Sequence, residues 1–180
     1  VFVHEAIESE LLKEYGEVTG YGLEIEHTLN LDNYYEIDLE ENELQQQYDF
    51  GLFHPPCQKW AKATQNREEE KNLIPRAREL ASKYCDYWVI ENVSFAPLYD
   101  EIILNGAMFD KDIKYERIFE ANFEIPQPEY PNQDLYKYHI NNMSKMKAAN
   151  IKNWRGWYYV WTLQRNCIPR YYLEYILRYC

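Results

Sequence analysis

Two short segments hold the reactive groups of this 180-residue chain. The first, Phe53-His54-Pro55-Pro56-Cys57-Gln58, ends an apolar run and sets a thiol behind two prolines. Proline fixes φ and stiffens the backbone, so the thiol is presented in a defined place. A positioned thiolate is a nucleophile whose ionisation is tuned by its surroundings. The second segment, Glu91-Asn92-Val93, closes another apolar run and offers a carboxylate suited to general acid work. In an open α/β sheet, ligands gather just beyond the carboxyl ends of strands, which is where both segments belong. Each alone is commonplace, since a loop cysteine is usually structural and a carboxylate after a strand is usually solvated. Asp49-Phe50-Gly51 spells a kinase tripeptide, but no Gly-rich loop or His-Arg-Asp precedes it, and it reads as the strand leading to the thiol.

The elements that must position these groups alternate between strand-like and helix-like up to residue 123, the pattern of an α/β protein with a mostly parallel sheet. Residues 5–15 read as a helix with Ala6, Ile7, Leu11 and Leu12 on one side. Strands are expected at 21–25, 34–37, 48–53 and 86–90, with further candidates at 102–104 and 117–123. The stretch 66–84 reads as helical, with Pro75 in the first turn of a second helix. Three prolines between 124 and 132 mark a break. Beyond them the chain is rich in Tyr, Trp and Lys and ends in an amphipathic helix after Pro169.

Together the two reactive segments are far more specific than either alone. Pro55-Pro56-Cys57-Gln58, followed 34 positions after the cysteine by Glu91-Asn92-Val93, resembles the catalytic core of the DNA cytosine methyltransferases that act at ring carbon 5. Tyr21 to Glu26 resembles that family's second strand, whose terminal acid holds the cofactor ribose, a role that falls on Glu24. Glu36-Ile37-Asp38 resembles the next motif, which gives Asp38 a place near the adenine. Arg117-Ile118-Phe119 looks like the strand whose Arg helps hold a flipped cytosine. Ile168 to Ile176 resembles the C-terminal segment of a short prokaryotic and viral branch. The resemblance implies a Rossmann-like, S-adenosylmethionine-dependent methyltransferase sheet with a small, mostly helical C-terminal appendage. Its domains would be a catalytic core over 1–123, a short target-recognition segment over 124–167 and a C-terminal helix over 168–180 packing back on the core. Cys57, Glu91 and Arg117 would be catalytic; Phe2, Glu24, Asp38 and Pro55 would hold S-adenosylmethionine; Pro56, Gln58 and Asn92 would meet the base. Double-stranded DNA would be the partner, no metal or membrane would be involved, and a protein partner or a second copy is a further expectation.

The chain departs from the family in three places. The family's Phe-x-Gly-x-Gly-Gly turn lets the backbone approach the cofactor closely, yet after Phe2 this chain reads Val3-His4-Glu5-Ala6-Ile7 without a glycine. Ile113 and Tyr115 stand where a Gln and a second Arg usually precede Arg117. Only residues 123–167 are left for target recognition, although Lys145, Lys147, Lys152, Trp154, Arg155 and Trp157 suit phosphate contacts and stacking. These departures keep two alternatives open: a catalytically degenerate relative acting as a binding or decoy protein, and a subunit that needs a partner.

Composition fits this picture once it is resolved along the chain. With 46% hydrophobic residues the chain is no disordered polyanion, and its apolar runs are far too short for a membrane span. A net charge of −11 argues against a general nucleic-acid glue. Residues 1–50 hold 14 acidic groups against Lys13, whereas residues 139–180 hold seven Lys or Arg against Glu174 alone. A polyanion would therefore meet the last quarter of the chain. Four cysteines without a Cys-x-x-Cys spacing, and no signal peptide, lead to the expectation of a reducing cytoplasm; the family resemblance implies that of a prokaryote or a virus-infected host cell. The missing initiator Met leads to the expectation of an upstream or trimmed segment.

Overall fold

The computed structural model describes residues 10–23, 31–62, 64–109, 113–130, 138–139 and 168–180. In chain order the strands are β1 (Thr19–Gly22), β2 (Asn33–Glu36), β3 (Tyr48–Phe53), β4 (Cys85–Asn92), β5 (Ile102–Leu104), β6 (Ile113–Lys114), β7 (Arg117–Ala121) and β8 (Tyr138–His139). Helix α1 (Ile74–Tyr84) precedes β4, and helix α2 (Arg170–Ile176) lies near the C-terminus. The chain divides into two compact units. The first comprises Val1–Asp38, Gly106–Tyr115 and Tyr130–Tyr175, and the second Leu39–Asn105, Glu116–Glu129 and Ile176–Cys180.

The second unit is built on a four-stranded sheet in the order β3-β4-β7-β5. β3 ends where Pro55 and Pro56 remove the N–H groups a ladder needs. The chain then passes a 3-10 turn at Arg67–Glu69 and enters α1 with Pro75 in its first turn, where a missing N–H costs nothing. Ile74, Ala77 and Ala81 recur at three- and four-residue spacing and pack against Cys85, Trp88 and Ile90 of β4. That crossover returns the chain to the sheet with β4 parallel to β3, Phe53 paired with Ile90. β4 is buried continuously from Trp88 to Asn92, as a central strand covered on both faces must be. Gly51 is required here, because a Cβ at that position would meet the Cys85 sulfur and stand 2.7 Å from the Phe53 ring.

The expected mostly parallel sheet is instead mixed. β7 pairs antiparallel with both β4 and β5. β4 and β5 therefore run in the same direction, and the chain reverses between β5 and β7, where no long helix intervenes among the described residues to carry a parallel crossover, so β7 comes back between them. The ladder is prolonged by a side chain: Asn122 accepts from Trp88 N–H at 2.8 Å and donates to the Asp86 carbonyl at 2.8 Å. β4 also runs two residues beyond the expected 86–90, so Glu91 and Asn92 end the strand rather than follow it.

In the first unit, β1 and β2 pair in parallel, with Tyr21 stacked on Tyr35 at 5.1 Å between ring centroids. β1 starts earlier than expected and ends at Gly22; residues 24–25 of the expected strand lie outside the described residues. A hydrogen bond from Val18 N–H, with Lys13 beside it, holds the Asp32 carboxyl below the usual carboxylate range. Of the helix expected over 5–15, residues 10–12 are helical and 5–9 lie outside the described residues. α2, expected after Pro169, buries Tyr172 and Leu173, and Phe109 packs against Tyr171, Tyr172 and Tyr175. The Tyr172 hydroxyl donates to the Tyr115 carbonyl, and Arg170 pairs with Glu14 at 2.8 Å and Glu174 at 2.7 Å. Among the described residues no helix is long and apolar enough to cross a membrane.

One ion pair fastens α1 across the sheet. Glu120 of β7 is buried, and Arg78 grips both of its oxygens at 2.6 and 2.7 Å. Tyr99 N–H adds a third bond at 2.9 Å, and the guanidinium lies 4.1 Å over the Tyr99 ring. Removing the carboxylate leaves the largely buried Arg78 cation and the Tyr99 N–H without that acceptor. Glu120→Ala is therefore expected to cost about 3 kcal/mol in urea unfolding, against ~0.5 kcal/mol or less for a typical surface change. A loss under ~1 kcal/mol would show the pair to be peripheral.

Candidate active site

Strand register decides which side chains meet at the end of the second unit's sheet. Phe53 lies opposite Ile90 in the parallel pair, so the next position along brings His54 beside Glu91. Glu91 lies opposite Phe119 in the antiparallel pair, and Arg117 is two residues from Phe119 on the same face. Three strands thus deliver His54, Glu91 and Arg117 to one spot. Arg117 Nε lies 2.8 Å from Glu91 Oε1, and His54 Nδ1 lies 3.1 Å from Glu91 Oε2. All three side chains are largely buried, with 7% of Glu91, 14% of Arg117 and 16% of His54 exposed. A carboxylate this buried needs charged or hydrogen-bonding partners to remain an ion.

The opposite face of β4 carries a second tie. Asn92 Nδ2 donates to the Pro55 carbonyl at 2.9 Å, and its Oδ1 accepts from Val93 N–H at 2.9 Å. The backbone leaving β3 is therefore fastened to the backbone leaving β4, one residue beyond the His54–Glu91 contact. Pro55 is buried, whereas Pro56 and Gln58 are exposed. Cys57 is half-buried and opens a turn in which its carbonyl accepts from Trp60 and Ala61 N–H, both at 2.9 Å. Arg117 also donates from Nη1 to the Glu116 carbonyl at 2.9 Å, while Glu116 accepts from the Ser94 hydroxyl at 2.7 Å.

The remaining cysteines differ from Cys57. Cys85 lies in the core, where burial pushes its thiol up to about 11, and burial also raises the Cys180 thiol. The thiolate is the reactive form, so burial keeps Cys85 inert near neutral pH. Cys167 lies outside the described residues.

The residues expected around a cofactor are only partly visible. Phe2 and Glu24 lie outside the described residues, as do the glycine-free turn after Phe2 and the basic and aromatic positions 145–157. Asp38 is half-buried two residues past β2, at the carboxyl end of the strand, and belongs to the first unit. A carboxylate there suits the amino group of an adenine. The nearby glycines offer no open cradle: a Cβ on Gly22 would stand 3.0 Å from the Tyr34 hydroxyl, and one on Gly20 would meet Leu31. Among the described residues no group of three His, Cys, Asp or Glu side chains could hold a metal.

Sequence reasoning brought Glu91, Asn92, Arg117 and Pro55 to notice and passed over His54. The signal was present in the spacing, since two parallel strands ending in Phe53-His54 and Ile90-Glu91 place the imidazole beside the carboxylate once their register is known.

Neither the family models nor the curated proteins contain a match to this chain. Among solved structures the chain is similar to S. pombe Dnmt2 methyltransferase, at 13% identity and a TM-score of 0.40. The likeness covers 86% of this chain and 60% of that one.

Proposed function

We propose that this chain is a DNA cytosine-5 methyltransferase of a short prokaryotic or viral kind, working on a cytosine swung out of duplex DNA in the cytoplasm. The observation that carries the reading is the buried Glu91 carboxylate, held by Arg117 at a strand end that adjoins the Pro55-Pro56-Cys57 turn. The β3-α1-β4 crossover supports a Rossmann-like core, and residues 124–167 remain the proposed target-recognition segment, with 168–180 as its C-terminal neighbour.

A cytosine ring resists substitution at carbon 5 until a nucleophile adds at carbon 6. The Cys57 sulfur forms that bond, and the electron pair of the ring double bond shifts toward ring nitrogen 3. A proton taken up from solvent as the base binds sits between Glu91 and that nitrogen, so the carboxylate accepts from the protonated nitrogen, negative charge does not build up on the pyrimidine, and the proton is released when the ring is restored. Arg117 steadies Glu91 and reaches the extruded nucleotide, while Pro56, Gln58 and Asn92 line the base's approach. S-adenosylmethionine, held by Asp38 with Phe2, Glu24 and Pro55, would supply the methyl group for carbon 5. Loss of the carbon-5 proton then lets the Cys57 sulfur depart as the thiolate, which restores the ring double bond.

A second reading rests on the glycine-free turn after Phe2 and the acidic excess of residues 1–50. Both work against the methionine carboxylate of S-adenosylmethionine, and a degenerate binding protein would need neither cofactor nor chemistry.

Two measurements separate these readings. Duplex DNA of mixed sequence should take up labelled methyl from S-adenosylmethionine, and Cys57→Ser should lower the rate by more than about 10³-fold. No methyl transfer across many duplexes would overturn the first reading. Calorimetric titration with S-adenosylmethionine should give micromolar binding; no detectable heat would favour the second reading.

A further inference from the structure

The Glu91 carboxylate has two oxygens, and Arg117 accounts for one. The other, Oε2, lies 3.1 Å from His54 Nδ1. The terminal torsion of a glutamate is broad and roughly two-fold, so a single cation on Oε1 leaves the carboxylate free to swing about that contact. A second donor on Oε2 fixes its plane. His54 is itself well fixed, since two prolines follow it and the first has its carbonyl tied to Asn92 at 2.9 Å. The two ties lie in adjacent register positions on opposite faces, continuing the β3–β4 pairing beyond its last backbone rung.

We propose that His54 is a positioning residue: its Nδ1–H donates to Glu91 Oε2 and, opposite Arg117, sets the carboxylate plane that receives the base. The contact commits His54 to carrying its proton on Nδ1. Its effect on chemistry rests on the function proposed above, with cytosine ring nitrogen 3 as the group that the oriented carboxylate meets.

The test has one arm that is independent of that function. Nitrogen NMR of the imidazole in the intact wild-type chain is expected to show a protonated Nδ1 whose signal moves in Glu91→Gln. A bare Nδ1, indifferent to Glu91→Gln, would overturn the proposal. The second arm follows tritium release from carbon 5 of cytosine in duplex DNA, because addition at carbon 6 lets that proton exchange. Asn places its side-chain nitrogen near the position of Nδ1, whereas Gln places it nearer that of Nε2. His54→Ala and His54→Gln are expected to lose about 10²-fold in rate with KM for the duplex unchanged. His54→Asn is expected to recover to within about tenfold of wild type, since the misplacement is what carries the loss. Equal rates for Ala and Asn, at matched thermal stability, would overturn the positioning role. A wild-type chain that releases no tritium from any duplex would remove the cytosine reading, and the Nδ1 arm would then decide the contact by itself.

Discussion

A glutamate with 7% of its side chain exposed cannot end a central strand unless other groups replace the water it has lost. At Glu91 the replacements come from both neighbouring strands, a guanidinium from β7 and an imidazole from β3. Neither partner is near Glu91 in sequence. The carboxylate is therefore tolerated only when the β3-β4-β7 order and both registers are correct. A one-residue slip in either pairing would turn these side chains to the other face and leave the charge unpartnered. The site and the sheet specify each other through this one buried ion.

The same device appears on the side of the sheet that faces α1. Glu120, paired in register with Ile90, is gripped by Arg78 of the helix and by the Tyr99 backbone. One buried carboxylate thus locks the helix to the sheet, and the other locks three strand ends together. The apolar cluster of α1 and the sheet, Ala77, Ala81, Trp88, Ile90 and Ile118 among its members, is non-directional and could not set register alone. An antiparallel β7 is essential to the arrangement, because its diagonal neighbour reaches Glu91 from the side opposite His54.

Much of this was legible in the residues where local signals are strong. β3 was readable to the residue because prolines stop it, and the start of α1 because Pro75 suits a first turn. The apolar run of β4 was readable too, but its end was not: Glu91 and Asn92 look like loop residues until their partners are known. Strand direction was missed for a related reason. Alternating strand and helix patterns suggest parallel sheets, while the reversal between β5 and β7, which brings β7 back beside β4, is marked only by the lack of a long helix in the link. His54 was passed over because an imidazole beside two prolines has no local meaning; it gains one from a carboxylate 37 residues away.

The central claim is that Cys57 adds to a cytosine that Glu91 receives. Fluorine in place of the carbon-5 hydrogen cannot leave as a proton does, so the covalent adduct formed on such a base does not resolve. Duplex DNA carrying 5-fluorocytosine, incubated with the chain and S-adenosylmethionine, should give a protein–DNA adduct whose linked peptide contains Cys57. No adduct on any duplex, or one mapped to a different cysteine, would contradict the account.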